Sequence, residues 1–406
     1  MGRRLYVIAG EASGDLHGGN LIAELFRLSE KWQVESGKSG GSSPADSRSA
    51  PDFPLATSHL PLTIRAWGGD RMSAAGAEVV KHYRELAFMG FTQVIMNLRT
   101  ILRNIQRCKE DIAAFKPDAV VLIDYPGFNL RIADWAKAQG IQVFYYISPQ
   151  LWAWKENRIA IVKRAVDRMF CILPFEKDWY AQRGVDVDFV GHPLLDEMNA
   201  PSPLPLPRGE GFPEHHRNAP VALLPGSRTQ EIIRMLPIML DAAKHFPNER
   251  FVVAAAPSVP EAFYRQLIGD ARVELVTGKT YDLLRQAKAA VVTSGTATLE
   301  TALFGVPEVV CYSGSAINVW LARRLVKVKF ISLVNLIMDR EVVRELVQQD
   351  MNAEAIRQEL GRLLNDGAYR DRMINDLNAL REKLGGPGAS ARTADRLWKS
   401  LRPTAG

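Results

Sequence analysis

Long apolar runs and a decisive charge excess are missing from this 406-residue chain and cysteine is scarce, and each shortage removes a class of protein. No uninterrupted apolar stretch approaches the ~18 residues that a membrane-spanning helix needs. At the amino end, Met1-Gly2-Arg3-Arg4 leads into only Leu5 to Ala9 before Gly10-Glu11, too short for a secretory signal but suited to a first core strand. Tyr6 stands where a myristoylation motif wants Ser or Thr. Cys108, Cys171 and Cys311 are odd in number, widely spaced, and lack a CxxC pair or a histidine cluster. They read as reduced thiols of a cytoplasmic protein, not as a disulfide or zinc framework. Lys and Arg number 51 against 45 Asp and Glu; the formal charge of +6 permits attraction to phosphate or an anionic surface without selecting either. The aromatics do not interleave with a concentrated basic stripe, which argues against nucleic acid. No internal repeat marks a solenoid or propeller.

What the chain has is alternation. Apolar, β-branched runs at Leu5–Ala9, Ala119–Ile123, Val143–Ile147, Met169–Leu173, Val221–Leu224, Phe251–Ala255, Ala290–Thr293 and Val309–Cys311 are separated by helical patterns. That order predicts an α/β fold with parallel sheets covered by helices on both faces. Six prolines in residues 201–220 exclude a helix or a central strand there and mark an interdomain linker. The reading is therefore a Rossmann-like domain over 1–200, a second over 221–370, and C-terminal helices over 371–406 that pack back on the first domain or on a partner chain. The two halves are expected to face each other across a cleft, with ligands beyond the carboxyl ends of the strands. Residues 36–59, with Ser, Gly or Pro at thirteen of twenty-four positions, read as a surface insertion.

Four loops after strands could carry chemistry. Gly10-Glu11-Ala12-Ser13-Gly14-Asp15 is not GxGxxG, and its two carboxylates repel phosphate and suit sugar hydroxyls; Asp15 could equally be a helix cap. Asp124, after the Ala119–Ile123 run, is a candidate general base or else a turn residue. Gly226-Ser227-Arg228 and the hydroxyl-rich run Ser294-Gly295-Thr296 are both suited to a diphosphate, with Glu300 one turn further on for a ribose hydroxyl pair. The aromatic stretch Tyr145–Trp154, with Ser148, Gln150 and Trp152, suits sugar rings or simply a core. Phe91–Lys109 places apolar residues at helical spacing beside Arg99, Arg103 and Arg107, so it is either a membrane-facing or acyl-binding helix or one with its apolar side in the core. Asp186-Val187-Asp188 and His215-His216 lack the context of a designed metal site.

Together these segments resemble the lipid-A-disaccharide synthase family, glycosyltransferases of the GT-B architecture. The resemblance also rests on Gly68-Gly69-Asp70-Arg71-Met72, Met89-Gly90-Phe91, Leu173-Pro174-Phe175-Glu176 and Gly191-His192-Pro193, in that order along nearly the whole chain. It implies inverting transfer from UDP-2,3-diacylglucosamine to 2,3-diacylglucosamine 1-phosphate, with no metal or cofactor, at the inner face of the cytoplasmic membrane. By this resemblance Asp124 is the base and Arg228 belongs to the UDP pocket; Glu11, read as positioning the sugars, joins them in the catalytic set. Gly226, Ser227, Arg228, Ser294, Gly295, Thr296, Glu300 and Asn335 fall to the UDP site, and Ser13, Asp15, Met89, Phe91, Leu98, Ser148, Gln150 and Trp152 to acceptor and acyl chains. Gln93 replaces a usual Glu, Gly127 the second acid of an Asp-x-Pro-Asp-Phe-Asn run, and Val334-Asn335 a Pro-Asn pair. A UDP-N-acetylglucosamine 2-epimerase, a sugar-nucleotide hydrolase and a silent nucleotide-sugar or lipid-binding module are the competing readings, and whether the chain forms a homodimer stays open.

Overall fold

Runs of Val, Ile, Leu and Ala that have no polar side to show to water become the inner strands of two all-parallel sheets. The computed structural model describes residues 2–37, 62–85, 98–198, 219–314 and 329–401. The chain divides into two units, Met1–Glu197 with Pro387–Gly406, and Met198–Gly386.

The first unit holds strands β1 (Arg3–Ala9), β2 (Leu62–Gly68), β3 (Glu78–His82), β4 (Ala119–Ile123), β5 (Gln142–Tyr146), β6 (Arg168–Cys171) and β7 (Asp188–Phe189). They lie in the order β3-β2-β1-β4-β5-β6-β7. Side chains alternate between the two faces, as a strand dictates. Tyr6, Ile8, Val120, Leu122, Val143 and Tyr145 pack under Ile105, Cys108, Ile112, Phe115 and Ile132. Leu5, Val7, Val121, Ile123, Phe144 and Tyr146 face Leu21, Ile22, Leu25, Ala394 and Leu397.

The helix Leu98–Phe115 settles one open choice from its second turn on: Ile105, Cys108, Ile112 and Phe115 are buried in the core. Its apolar side is thus taken up within the protein, leaving Arg99, Leu102, Arg103 and Arg107 outward. Met89, Phe91 and Gln93 lie outside the described residues, as does the side chain of Leu98 and the pair His215-His216. Among the described residues no helix is long and apolar enough to cross a membrane.

The C-terminal helix Ala389–Ser400 packs against the helix Ala12–Gly37 of the same unit. Asp196 caps it, accepting from the N–H groups of Gly388 (2.5 Å), Ala389 (3.1 Å) and Ser390 (2.9 Å). The preceding helix Gly367–Lys383 stays with the second unit, so the tail read as one piece from 371 divides at Gly386/Pro387.

The second unit carries β8 (Val221–Leu224), β9 (Phe251–Ala255), β10 (Glu274–Thr277), β11 (Ala289–Thr293), β12 (Glu308–Tyr312) and β13 (Arg344–Val347), ordered β10-β9-β8-β11-β12-β13. In each sheet the strand order reverses once, between β1 and β4 and between β8 and β11. The loops after those four strands diverge and leave a crevice, and they are the four loops that carry the motifs.

Candidate active site

At the reversal point of the first sheet, β1 delivers Glu11 and β4 delivers Asp124. Asp124 and Tyr125 both take left-handed backbone angles, φ +46° and +48°. Such angles cost a non-glycine residue about 1–3 kcal/mol each and persist only when the surroundings impose them. Here the Asp124 N–H donates to the Tyr146 carbonyl (3.0 Å), and the Asp124 carbonyl accepts from Tyr145 Oη (2.6 Å) and Asn129 Nδ2 (2.7 Å). The Tyr125 ring fills the space a side chain at residue 10 would need: a Cβ there would lie 2.4 Å from it, so Gly10 is obligatory. Burial, and secondarily the negative charge of Glu11, raises the Asp124 carboxyl to about 6. A carboxylate so placed is ionised near neutrality yet basic enough to take a hydroxyl proton as that hydroxyl attacks.

Beyond β5, Ser148 is buried, Trp152 half-buried and Gln150 exposed. The segment is fastened by Glu176, a residue that the motif Leu173-Pro174-Phe175-Glu176 contained but that had been given no role. Its carboxylate accepts from the N–H groups of Leu173 (3.0 Å) and Ile172 (3.3 Å) and from Trp152 Nε1 (3.0 Å). Burial raises Glu176 to about 7 against these stabilising bonds. An acid three residues after the start of a helix is the sequence signal for such a reach-back contact. Phe175 meets the Trp152 ring edge to face at 5.0 Å, so the indole is held from two sides.

At the reversal point of the second sheet lies a cavity of about 370 Å³, within the range of small-ligand sites. Gly226, Ser227, Arg228, Ser294, Gly295, Thr296 and Glu300 all line it. Gly226 has φ +115°, and a Cβ there would come within 2.8 Å of the Glu231 Cβ. Glu231 in turn accepts from the Ser227 N–H (3.1 Å) and from Arg228 Nη1 (3.1 Å), holding the arginine at the rim with its side chain more than half exposed. Thr293, buried at the wall, has a hydroxyl without a hydrogen-bond partner among the described residues. Glu300 accepts from Tyr281 Oη (3.2 Å), and burial raises its carboxyl. An arginine, the amino end of the Thr296–Leu303 helix and a carboxylate one turn inside give a diphosphate and a ribose complementary partners.

Two assignments change. Asn335 is fully buried and outside the cavity: its Nδ2 donates to the Val343 carbonyl (2.8 Å) and Glu345 (2.9 Å), and its Oδ1 accepts from the Val342 (2.7 Å) and Val343 (3.0 Å) N–H groups. With all four valences used, no contact is left for UDP. It braces a loop whose Ile331 carbonyl accepts from Ser294 Oγ (3.3 Å). Asp15 is likewise spent, accepting from the N–H groups of Gly69 (2.7 Å), Arg71 (3.1 Å) and Met72 (3.2 Å), which makes it a structural cap across two elements. Ser13 is exposed in the first turn of the helix Ala12–Gly37. Asp188 is held by Arg168 (2.6 Å) and Arg396 (3.0 Å).

Solved structures share the architecture at low sequence identity. A UDP-GlcNAc 2-epimerase from Neisseria meningitidis, bound to UDP-GlcNAc, matches with a TM-score of 0.59 at 15% identity over 98% of this chain and 100% of its own. A calicheamicin glycosyltransferase matches with a TM-score of 0.57 at 18% identity over the full length of both chains. These likenesses establish the two-domain fold alone. Sequence relatives are far closer. The lipid-A-disaccharide synthase of Syntrophus aciditrophicus (strain SB) is 40% identical over 398 residues, spanning 96% of this chain and 95% of its own. That of Myxococcus xanthus (strain DK1622) is 38% identical over 410 residues, spanning 98% of each. The family model described as lipid-A-disaccharide synthetase matches residues 56–392, a range that includes the loops of Asp124, Gly226 and Ser294. This chain belongs to the lipid-A-disaccharide synthase family.

Proposed function

We propose that this glycosyltransferase of lipid A biosynthesis moves the sugar of UDP-2,3-diacylglucosamine onto the 6-hydroxyl of 2,3-diacylglucosamine 1-phosphate. The products are the β-1,6-linked tetraacyl disaccharide 1-phosphate and UDP. The observation that carries this reading is the Asp124 carboxylate, raised to about 6 in a strained loop beside Glu11. Asp124 takes the proton of the 6-hydroxyl as that oxygen bonds to the donor's anomeric carbon from the face opposite the diphosphate. The bond from that carbon to the diphosphate oxygen breaks, and its electron pair leaves with UDP. Arg228 and the amino end of the Thr296–Leu303 helix receive the charge that develops there, and Glu300 receives the ribose. Ser13, Gln150 and Trp152 are assigned to the acceptor sugar, the last held by Glu176.

The test is incubation of the purified chain with both lipids, with and without EDTA, with UDP and the lipid products quantified. EDTA-insensitive disaccharide formation is expected. UDP without disaccharide would make the protein a hydrolase, and neither product would return the epimerase or silent-binder reading. Acyl chains and peripheral contact with the cytoplasmic face of the membrane are assigned to the stretch around Met89, Phe91 and Leu98. The exposed Arg99, Leu102 and Arg103 beside it support that assignment. Flotation with anionic vesicles at low salt should carry the protein upward; failure to float would remove the membrane from the account.

A further inference from the structure

Three cations gather in the first unit, close in sequence to the loop that carries Asp124. Arg131 lies one turn along the helix Pro126–Ala138, its Nη1 donating to the Gly127 carbonyl (3.2 Å). Lys155 stands with its ammonium over the exposed Trp154 ring (4.3 Å to the centroid), at a left-handed backbone angle of +56°. Arg158 follows in the same turn, its N–H donating to the Lys155 carbonyl (3.0 Å). Lys155 and Arg158 belong to the short turn Glu156–Arg158 and its cap, which leads directly into the helix Ile159–Ala165, and that helix packs on Pro126–Ala138, the helix of Arg131.

The carboxylates nearest in sequence are engaged elsewhere. Asp134, one turn from Arg131, is gripped by both arms of Arg164 (2.7 and 3.0 Å). Glu156, between Lys155 and Arg158, is paired with Arg183 (2.7 Å). Among the described residues no carboxylate pairs with Arg131, Lys155 or Arg158. Burial first, and then the positive charge of Arg131, lowers Arg158; burial, Arg158 and Arg131 lower Lys155. Each cation is therefore close enough to feel the others. Like charges brought together without a counter-ion are costly, and an anion of matching size relieves the cost. Arg158 also couples to Tyr145, whose Oη donates to the Asp124 carbonyl (2.6 Å), so the cluster borders the loop that carries the base.

We propose that Arg131, Lys155 and Arg158 form the subsite that grips the phosphate monoester of the acceptor sugar, an inference that rests on the activity proposed above. The reacting 6-hydroxyl and the 1-phosphate sit at opposite ends of one sugar ring. A phosphate held by the helix and the turn that flank the Asp124 loop would orient the far end of the ring, and with it the hydroxyl, toward the base.

The test compares the wild-type chain with Arg131→Gln, Lys155→Gln, Arg158→Gln and the triple variant, in detergent micelles. The acceptors are 2,3-diacylglucosamine 1-phosphate and the same sugar without phosphate. Each substitution should raise KM for the phosphorylated acceptor by about tenfold. Donor KM should not move, and all the proteins should use the unphosphorylated sugar equally poorly. Equal losses on both acceptors, or none, would overturn the subsite. Calorimetric binding of glucosamine 1-phosphate, read without turnover, should be lost in the triple variant. If the wild type binds it but makes no disaccharide, the activity is wrong and the subsite stands; if the triple variant binds it as well as the wild type, the subsite is wrong. Weaker binding to phosphatidylglycerol vesicles with an unchanged micellar KM would assign the cluster to lipid headgroups and overturn the proposal.

Discussion

A base held near 6 by burial and a like charge should reveal itself in the rate. Turnover should rise as pH climbs through about 6 and level above it, because only ionised Asp124 accepts a proton. Asp124→Asn should lower kcat by roughly 10²–10⁴ while UDP still binds. Glu11→Gln removes the charge that raises Asp124, so the acid limb of the pH profile should move to lower pH; a limb that stays put would show that burial acts alone. A different carboxyl bears on stability. Glu308 is fully buried at the start of β12, and neither oxygen has a hydrogen-bond partner among the described residues. Burial raises its folded pKa well above the ordinary value. Stability is therefore full below the unfolded carboxyl range and is lost as pH rises toward the folded value. Glu308→Gln should flatten the fall in Tm as pH rises above the ordinary carboxyl range. Neither Glu308 nor Asn335 announces its situation in the sequence, because an isolated Glu or Asn reads alike whether it contacts a ligand, solvent or backbone. The position of Asp124 at the carboxyl end of β4 was legible because it directly follows five apolar strand residues.

Among the elements, the loop after β8 depends on one position. Gly226→Ala must leave a φ of +115° and push against Glu231, which also orients Arg228 and Ser227. UDP affinity, measured by calorimetry, should weaken on the order of tenfold while the fold is kept, since the strain falls on a surface loop. An unchanged affinity would mean that the loop does not touch the nucleotide. The inner strands around this loop were readable because both of their faces are buried: β8, β9 and β11 are apolar at every position or nearly so. The outer strands were not. β3, β10 and β13 border a single neighbour, and Glu78, Glu274 and Arg344 point partly to solvent, so their composition matches that of a loop. The amphipathic helix Leu98–Phe115 was ambiguous for a related reason. A stripe of Ile with flanking Arg looks the same over a sheet as over a membrane, and only tertiary packing decides.

At the level of the whole chain, the path leaves the first unit at Glu197, builds the second, and returns at Pro387. The returning helix is more than a tether. Ala394, Leu397 and Leu401 enter the core beside Leu21, Ile22 and Leu25, Arg396 joins Arg168 on Asp188, and Asp196 caps the first turn. Ending the chain at Gly386 would expose that face of the sheet and leave Asp196 without its three N–H partners. Burial of two leucines alone represents roughly 3–6 kcal/mol. Hydrogen exchange should then show β1, β4 and β5 losing protection in the shortened chain. The second unit keeps every strand and every cavity residue, so UDP should still bind there and raise protection in β8 and β11 by mass action. Protection lost evenly from both units would mean that they unfold as one cooperative body, and the returning helix would then stabilise the donor site as much as the base.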